Sequence, residues 1–317
     1  MPFAALFKDC RGQKKFEASD VIKVGDDFYA VCDSSWAISK FGSALLPFAD
    51  TNVQIGDPER VKNEDSGYEG IVHSDGIFYV VRESVLHTSN ATKRRKQAYY
   101  AIVEELQISV DNYTVTGQCR SEFEFEGDSK GFEGAIGVKD LRNRLTILGL
   151  CEGNHCSEKD KGDRGNGRLV AMQKTLAHDG SCMWKTLKMI DIPVSADFLD
   201  YSAITVDEKG RVAISSQEDS KIWVGRLVGL QENGLYDLEK LALVDSEEGK
   251  PEVYHFPMND DCEVVYCNIE GIHWLDENMI VAVSDKMKSK GKQPFRCFDK
   301  DQSVHAFVFP WTPSKKS

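Results

Sequence analysis

Residues 66–84 read SGYEGIVHSDGIFYVVRES, and the fold turns on this stretch. Glu69 opens a short apolar run, Asp75-Gly76 makes a turn, and a second, stronger apolar run ends at Arg82, Glu83 and Ser84. Runs rich in Val, Ile, Tyr and Phe on either side of a D-G turn predict strand, turn, strand. A carboxylate at the head of a buried strand is an odd choice for one hairpin alone. It recurs, however, in KGFEGAIGVKDLRNRLTILGLCEG around Glu133 and in NIEGIHWLDENMIVAVSDK around Glu270. Looser copies are ASDVIKVGDDFYAVCDSS at Ser19 and YSAITVDEKGRVAISSQE at Ser202.

Two further strand-like runs follow most copies, such as QAYYAIVEELQI and YTVTGQCRSEFEFEG after Glu69. A four-stranded unit recurring along the chain predicts an all-β fold, a five-bladed β-propeller of antiparallel blades in one domain. The blades fall at residues 16–62, 66–127, 130–195, 200–246 and 266–313, the last completed by residues 2–9. The N-terminal run PFAALFKD supplies the strand missing from the last blade and closes the ring. A two-domain β-sandwich is the competing architecture and leaves the repeat unexplained.

The first strand of a blade lines the central channel, so Ser19, Glu69, Glu133, Ser202 and Glu270 are expected to ring the axis. Carboxylates converging there repel one another, and a cation between them relieves the repulsion. Oxygen donors without histidine point to calcium ahead of magnesium. The plainer alternative is that each glutamate bonds the backbone amides of its own blade.

The order Ser, Glu, Glu, Ser, Glu, one per blade, resembles the calcium-activated nucleotidase (apyrase) family. That resemblance implies a five-bladed propeller with a central calcium held by those residues, and nucleotide hydrolysis. The chain departs from the family in its first copy. VCDSSWA carries only Asp33 where the family has a paired-aspartate and arginine turn. Glu-Gly-Ile repeats are also similar to those of other propellers.

Second strands return to the face where first strands begin, so their exits should surround the ring. Asp33, Glu83, Glu152 and His155 are the candidates to activate a water. Arg82, Asn154, Gln217, Glu218, Asp285 and Lys286 are the candidates to hold substrate, with Arg82 as a bidentate phosphate clamp. Long loops at residues 84–97, 153–168 and 286–302 add KRRK, KDKGDRGNGR and KMKSKGKQPFR. The expected activity is a calcium-dependent hydrolase for a small anionic, phosphate-bearing substrate. The alternative is a non-catalytic module that recognises a glycan or protein, with structural calcium.

Net charge of −12 argues against nucleic acid and anionic membranes as partners. No apolar run is long enough to span a bilayer, and a monomer is expected. The N-terminus lacks a signal-peptide pattern, which predicts a cytoplasmic protein if the sequence is complete and a secreted one if a signal was removed. Nine dispersed cysteines read as ordinary reduced thiols, with a few disulfides as the rival. CEGNHC lacks a second ligand pair for zinc, because Cys262 and Cys267 would face opposite sides of a strand. GDRGNG lacks the strand and helix of a dinucleotide site. Trp223, Trp274 and Trp311 read as blade core.

Overall fold

The computed structural model describes residues 1–89, 96–127, 131–152, 156, 167–246, 252–286 and 300–309. The first sheet runs β1 (Ala18–Val24), β2 (Asp27–Cys32), β3 (Ser35–Gly42), β4 (Val53–Ile55). Next come β5 (Tyr68–Ser74), β6 (Ile77–Ser89), β7 (Lys96–Ile108) and β8 (Tyr113–Phe125). These are followed by β9 (Phe132–Lys139), β10 (Leu145–Cys151), β11 (Arg168–Leu176) and β12 (Cys182–Asp191). The chain then forms β13 (Ala203–Val206), β14 (Arg211–Ser216), β15 (Lys221–Val228), β16 (Ala242–Asp245) and β17 (Glu252–His255). It ends in β18 (Ile269–Trp274), β19 (Met279–Ser284) and β20 (Val304–Val308).

Consecutive strands pair antiparallel within each group, as short turns between neighbours require. β16 and β17 lie end to end along β15, so they share one outer position. A short parallel pairing of β8 with β12 fuses the second and third groups into one eight-stranded sheet.

The first strands pack in a closed cycle: β1 on β5, β5 on β9, β9 on β13, β13 on β18, and β18 back on β1. Apolar clusters fill the space between successive groups, such as Val31, Trp36 and Ile38 against Tyr68, Ile71 and Val80. This arrangement is all-β and of propeller type.

Three expectations are corrected here. PFAALFKD is not a strand: Phe3–Leu6 forms a 3-10 helix, and only Met1 to Phe3 bond the edge of β20, through Gln302 and Val304. Its apolar residues Phe3, Leu6 and Phe7 have helical spacing and are buried with Phe16, Phe28 and Phe41. Part of the loop expected at residues 84–97 is strand instead, because β6 continues to Ser89 and β7 begins at Lys96. The reduced-thiol expectation fails as well. Cys119–Cys182 staples β8 to β12, Cys151–Cys156 closes a small loop after β10, and Cys267 is disulfide-bonded. Residues 257–267 are not a strand, so the facing argument for Cys262 and Cys267 lapses, though Cys262 is free and exposed.

Candidate functional site

The first strands carry a repeated irregularity at the proposed ring. β1 pairs β2 at Ala18 and Asp20 but skips Ser19, and β5 skips Glu69 between Tyr68 and Gly70. β9 skips Glu133 and β18 skips Glu270 in the same way. Each is a β-bulge, which leaves one residue out of the ladder and re-aims its side chain. Ser202 sits at the matching place before β13, its N–H bonded to the Ser215 carbonyl at 3.0 Å. Sequence patterning marked all five positions, but nothing in it announced the bulges.

Glycine follows three of these residues, and at Gly70 and Gly271 the neighbouring first strand comes very close. A Cβ on Gly70 would lie 3.0 Å from Ala135 Cβ, and one on Gly271 would lie 2.7 Å from Asp20 Cα. Asp20 takes the equivalent place in β1. It is fully buried and accepts N–H bonds from Val21 at 2.8 Å and Ile71 at 2.9 Å, and another from Ala135. Burial raises its pKa well above the usual carboxylate value, while these N–H donors act in the opposite direction. Its carboxyl thus ties three first strands together at the axis. Sequence reasoning passed over Asp20 because nothing in its own hairpin distinguishes it.

Glu69 is 6% exposed. Burial raises its pKa well above normal, and the charges of Glu133 and Glu270 add to the effect, followed by Asp33 and Glu83. The three ring glutamates therefore share one electrostatic neighbourhood. Ser202 is buried and committed, its hydroxyl donating to the Ile269 carbonyl at 2.8 Å. Ser19 is 1% exposed, and its buried Oγ has no hydrogen-bond partner.

A second tier stands at the strand exits, and a repeated backbone bond fixes it. The N–H of Asp33 donates to Glu17, that of Glu83 to Gly67, that of Glu152 to Gly131 and that of Asp285 to Asn268. Each bond joins a second-strand exit to the residue two places before the bulge. Asp33, Glu83, Glu152 and Asp285 are thus equivalent, although the sequence reading divided them between catalysis and substrate binding. Asp33 is pushed up to about 7, chiefly by burial and then by Asp285, Glu17, Glu83 and Asp65. Glu17, which sequence reasoning missed, has a ligand atom within 4.8 Å of those of Asp33 and Asp285.

Other candidates fare differently. Arg82 is engaged within the protein: its Nε donates to the Ser66 carbonyl, it pairs with Glu104 at 3.5 Å, and it stacks on Trp36 at 4.6 Å. Arg60 covers the same Trp36 ring and also binds Glu104, so this group locks the first sheet to the second. The Trp36 and Glu104 partners are distant in sequence, which hid the lock. Gln217 is half-buried, while Glu218 is exposed and its N–H bonds Asp200. Lys286 is exposed, with its N–H on the Asp285 carboxylate. Asn154, His155, the first three residues of KRRK (Lys93, Arg94 and Arg95) and Trp311 lie outside the described residues.

Beyond the ring, a narrow channel of about 160 Å³ runs between the first strands. It is lined by residues 21–23, 71–73, 135–137, 204–206 and 272–273, all at matching places in β1, β5, β9, β13 and β18.

No family model and no curated protein matches the chain. Among solved structures it is similar to a Kuenenia stuttgartiensis hydrazine synthase at 7% identity and TM-score 0.42, covering 94% of this chain and 97% of that one. A luciferin-regenerating enzyme aligns at 9% identity and TM-score 0.44, covering 96% and 94%. An aldose sugar dehydrogenase from Streptomyces coelicolor aligns at 10% identity and TM-score 0.39, covering 87% and 90%. These likenesses are too distant to carry any activity to this chain, so its site is judged on its own geometry.

Proposed function

We propose that the chain is a five-bladed β-propeller that binds calcium at its axial mouth and hydrolyses a small anionic, phosphate-bearing substrate there. The observation that carries the reading is the bulge repeated at Ser19, Glu69, Glu133 and Glu270. A bulge costs ladder hydrogen bonds, and its recurrence at one end of the channel argues for a shared task. The cycle of five first strands and the repeated exit bonds support the count of five blades.

The residues fit a hard divalent cation. Ser19, Glu69, Glu133, Ser202 and Glu270 offer oxygen only, and Ser19 brings a buried hydroxyl with no protein partner. When bound, calcium supplies positive charge for holding anionic oxygens. The tier of Asp33, Glu83 and Glu152 surrounds that position with carboxylates able to accept a proton from water. Gln217 and Lys286 offer polar groups at the same rim. The disulfides suit a protein made in an oxidising compartment.

Arg82 favours a second reading. Its guanidinium is already engaged with Glu104 and Trp36, which suits a recognition module for a glycan or protein with structural calcium. Phosphate release from nucleoside diphosphates and triphosphates, with calcium and with chelator, separates the two. Calcium-dependent release is expected. A calcium-induced rise in Tm without release moves the assignment to recognition, and no calcium response removes both readings.

A further inference from the structure

We infer that the cavity between β17 and β20 binds a small planar aromatic anion, an aromatic carboxylate, at a site separate from the axial mouth. The inference is independent of the calcium reading above. The cavity measures about 640 Å³, within the roughly 300–1,000 Å³ of small-molecule sites. Its walls come from the end of β17 and the residues after it, from Tyr266, and from β20. β20 is the outermost strand of a sheet that has three strands among the described residues, where the first sheet has four. The space beside it is open to solvent, and Val308 is 69% exposed.

The walls are aromatic. Tyr266 and Phe307 meet edge to face at 4.9 Å, Phe256 and Phe307 lie 4.9 Å apart at 52°, and Tyr254 and Phe309 lie 5.2 Å apart at 63°. All five rings line the cavity. Phe256 and Phe309 are buried, as core rings are, but Tyr254, Tyr266 and Phe307 are half-buried. Aromatic pairs favour offset-stacked or edge-to-face contact, so these partly uncovered rings suit a flat aromatic guest better than a branched aliphatic one.

A cation stands among these rings. Lys300 is half-buried, lines the cavity, and holds its Nζ 5.6 Å from the centre of the Tyr266 ring. Its main chain is pinned there, because the Lys300 carbonyl accepts from Ser284 Oγ at 2.6 Å and from His305 Nε2 at 3.2 Å. Among the described residues no carboxylate pairs with its ammonium, although the chain carries a net charge of −12. Met1 also lines the cavity, its ammonium donating to the Val304 carbonyl at 2.7 Å. His305 adds no charge: burial, then the N-terminal ammonium and Lys300, hold it at about 4, so it is neutral at pH 7. An aromatic carboxylate answers both features at once, with its ring against Tyr266 and Phe307 and its oxygens on Lys300.

The test is isothermal titration of 2-naphthoate, and of the neutral 2-naphthol, into the full chain in calcium and in chelator. Naphthoate is expected to bind at one site per chain, more tightly than naphthol, and with the same affinity in both buffers. Lys300→Met should weaken naphthoate about tenfold, the loss of one charge-assisted bond, and leave naphthol unchanged. Lys209→Met, at an exposed lysine outside the cavity, should change neither. Phe307→Ala should weaken both ligands. If Phe307→Ala does not fold, the half-buried Lys300→Met decides alone. No binding of naphthoate overturns the inference. Equal naphthoate affinity in the wild type and Lys300→Met also overturns it. Naphthoate binding that is lost in chelator overturns it too, because the anion would then sit on calcium at the mouth.

Discussion

The two ends of the axial channel are lined by the same strands, yet they are chemically opposite. At the mouth stand Glu69, Glu133 and Glu270, with Asp33 and Glu83 adding charge. At the far end the strands present Lys23, His73 and His273 among aliphatic residues and Thr205. Burial, with Lys23 nearby, lowers His273 to about 4, so it is neutral at pH 7. The backbone frame is common to both ends, and the ladder differs. A regular ladder alternates side chains between the two faces of its sheet, whereas a bulge at the first position turns one more residue toward the axis. Three of the carboxylates at the mouth therefore come from one inserted residue in each of β5, β9 and β18.

The strongest way to break this comparison is to disturb the approach of the strands just past the bulges. In Gly271→Ala the new methyl group would lie 2.6 Å from Val283 Cγ2 and 2.7 Å from Asp20 Cα, with backbone on one side that cannot yield. The expected loss is about 1–3 kcal/mol or more, read by urea denaturation. Gly134→Ala is the control, because its nearest neighbour is 3.5 Å away and little change is expected. Equal effects at both positions would mean that the β18–β1 contact is not the tight one.

A smaller effect is expected from pH. Burial and its acidic neighbours raise Asp33 to about 7 and push Glu69 up as well. In the unfolded chain both groups titrate near the ordinary carboxylate range, about 4. The folded state therefore binds more protons between those values, and stability must fall as pH rises from about 4 to 7. In chelator, Tm should drop over that interval. Glu133→Gln should shrink the drop by removing one repelling charge, and calcium should abolish it. A Tm that rises with pH in chelator would contradict a crowded acidic mouth.

The smallest effect is assigned to Arg82→Lys, which sharpens the boundary of the mouth. Lysine cannot reproduce both the Nε bond to Ser66 and the planar stacking on Trp36. A loss of roughly 1 kcal/mol in denaturant is expected, with calcium affinity unchanged in a titration. Weakened calcium binding would return Arg82 to the site.

Much of this was legible in the sequence. The repeat phase located all five first strands, because buried ladders need period-two apolar runs and turns need glycine or aspartate. It also placed the glutamates at the heads of those strands. What it misjudged depended on distant partners. PFAALFKD can be read as either strand or helix, and the shared apolar pocket of Phe3, Leu6 and Phe7 settled it as a 3-10 turn. Arg82 ends an apolar run in the same way whether it faces a phosphate or Glu104, and only the packing of the first two sheets brought Glu104 to it.

The sequence by itself determined the all-β class, the strand pairs and the positions of the ring residues, because local periodicity and turn chemistry encode them. Tertiary structure alone decided which carboxylates meet. Glu17, Asp33 and Asp285 are brought together by the return of β18 and β19 to β1. Asp20 gains its role only because the N–H groups of Ile71 and Ala135, on two other strands, converge on its carboxyl. The physical reason is the closure of the ring: contacts around the axis join residues of different strand groups, at least 51 positions apart for Asp20 and its partners, and no local pattern records them.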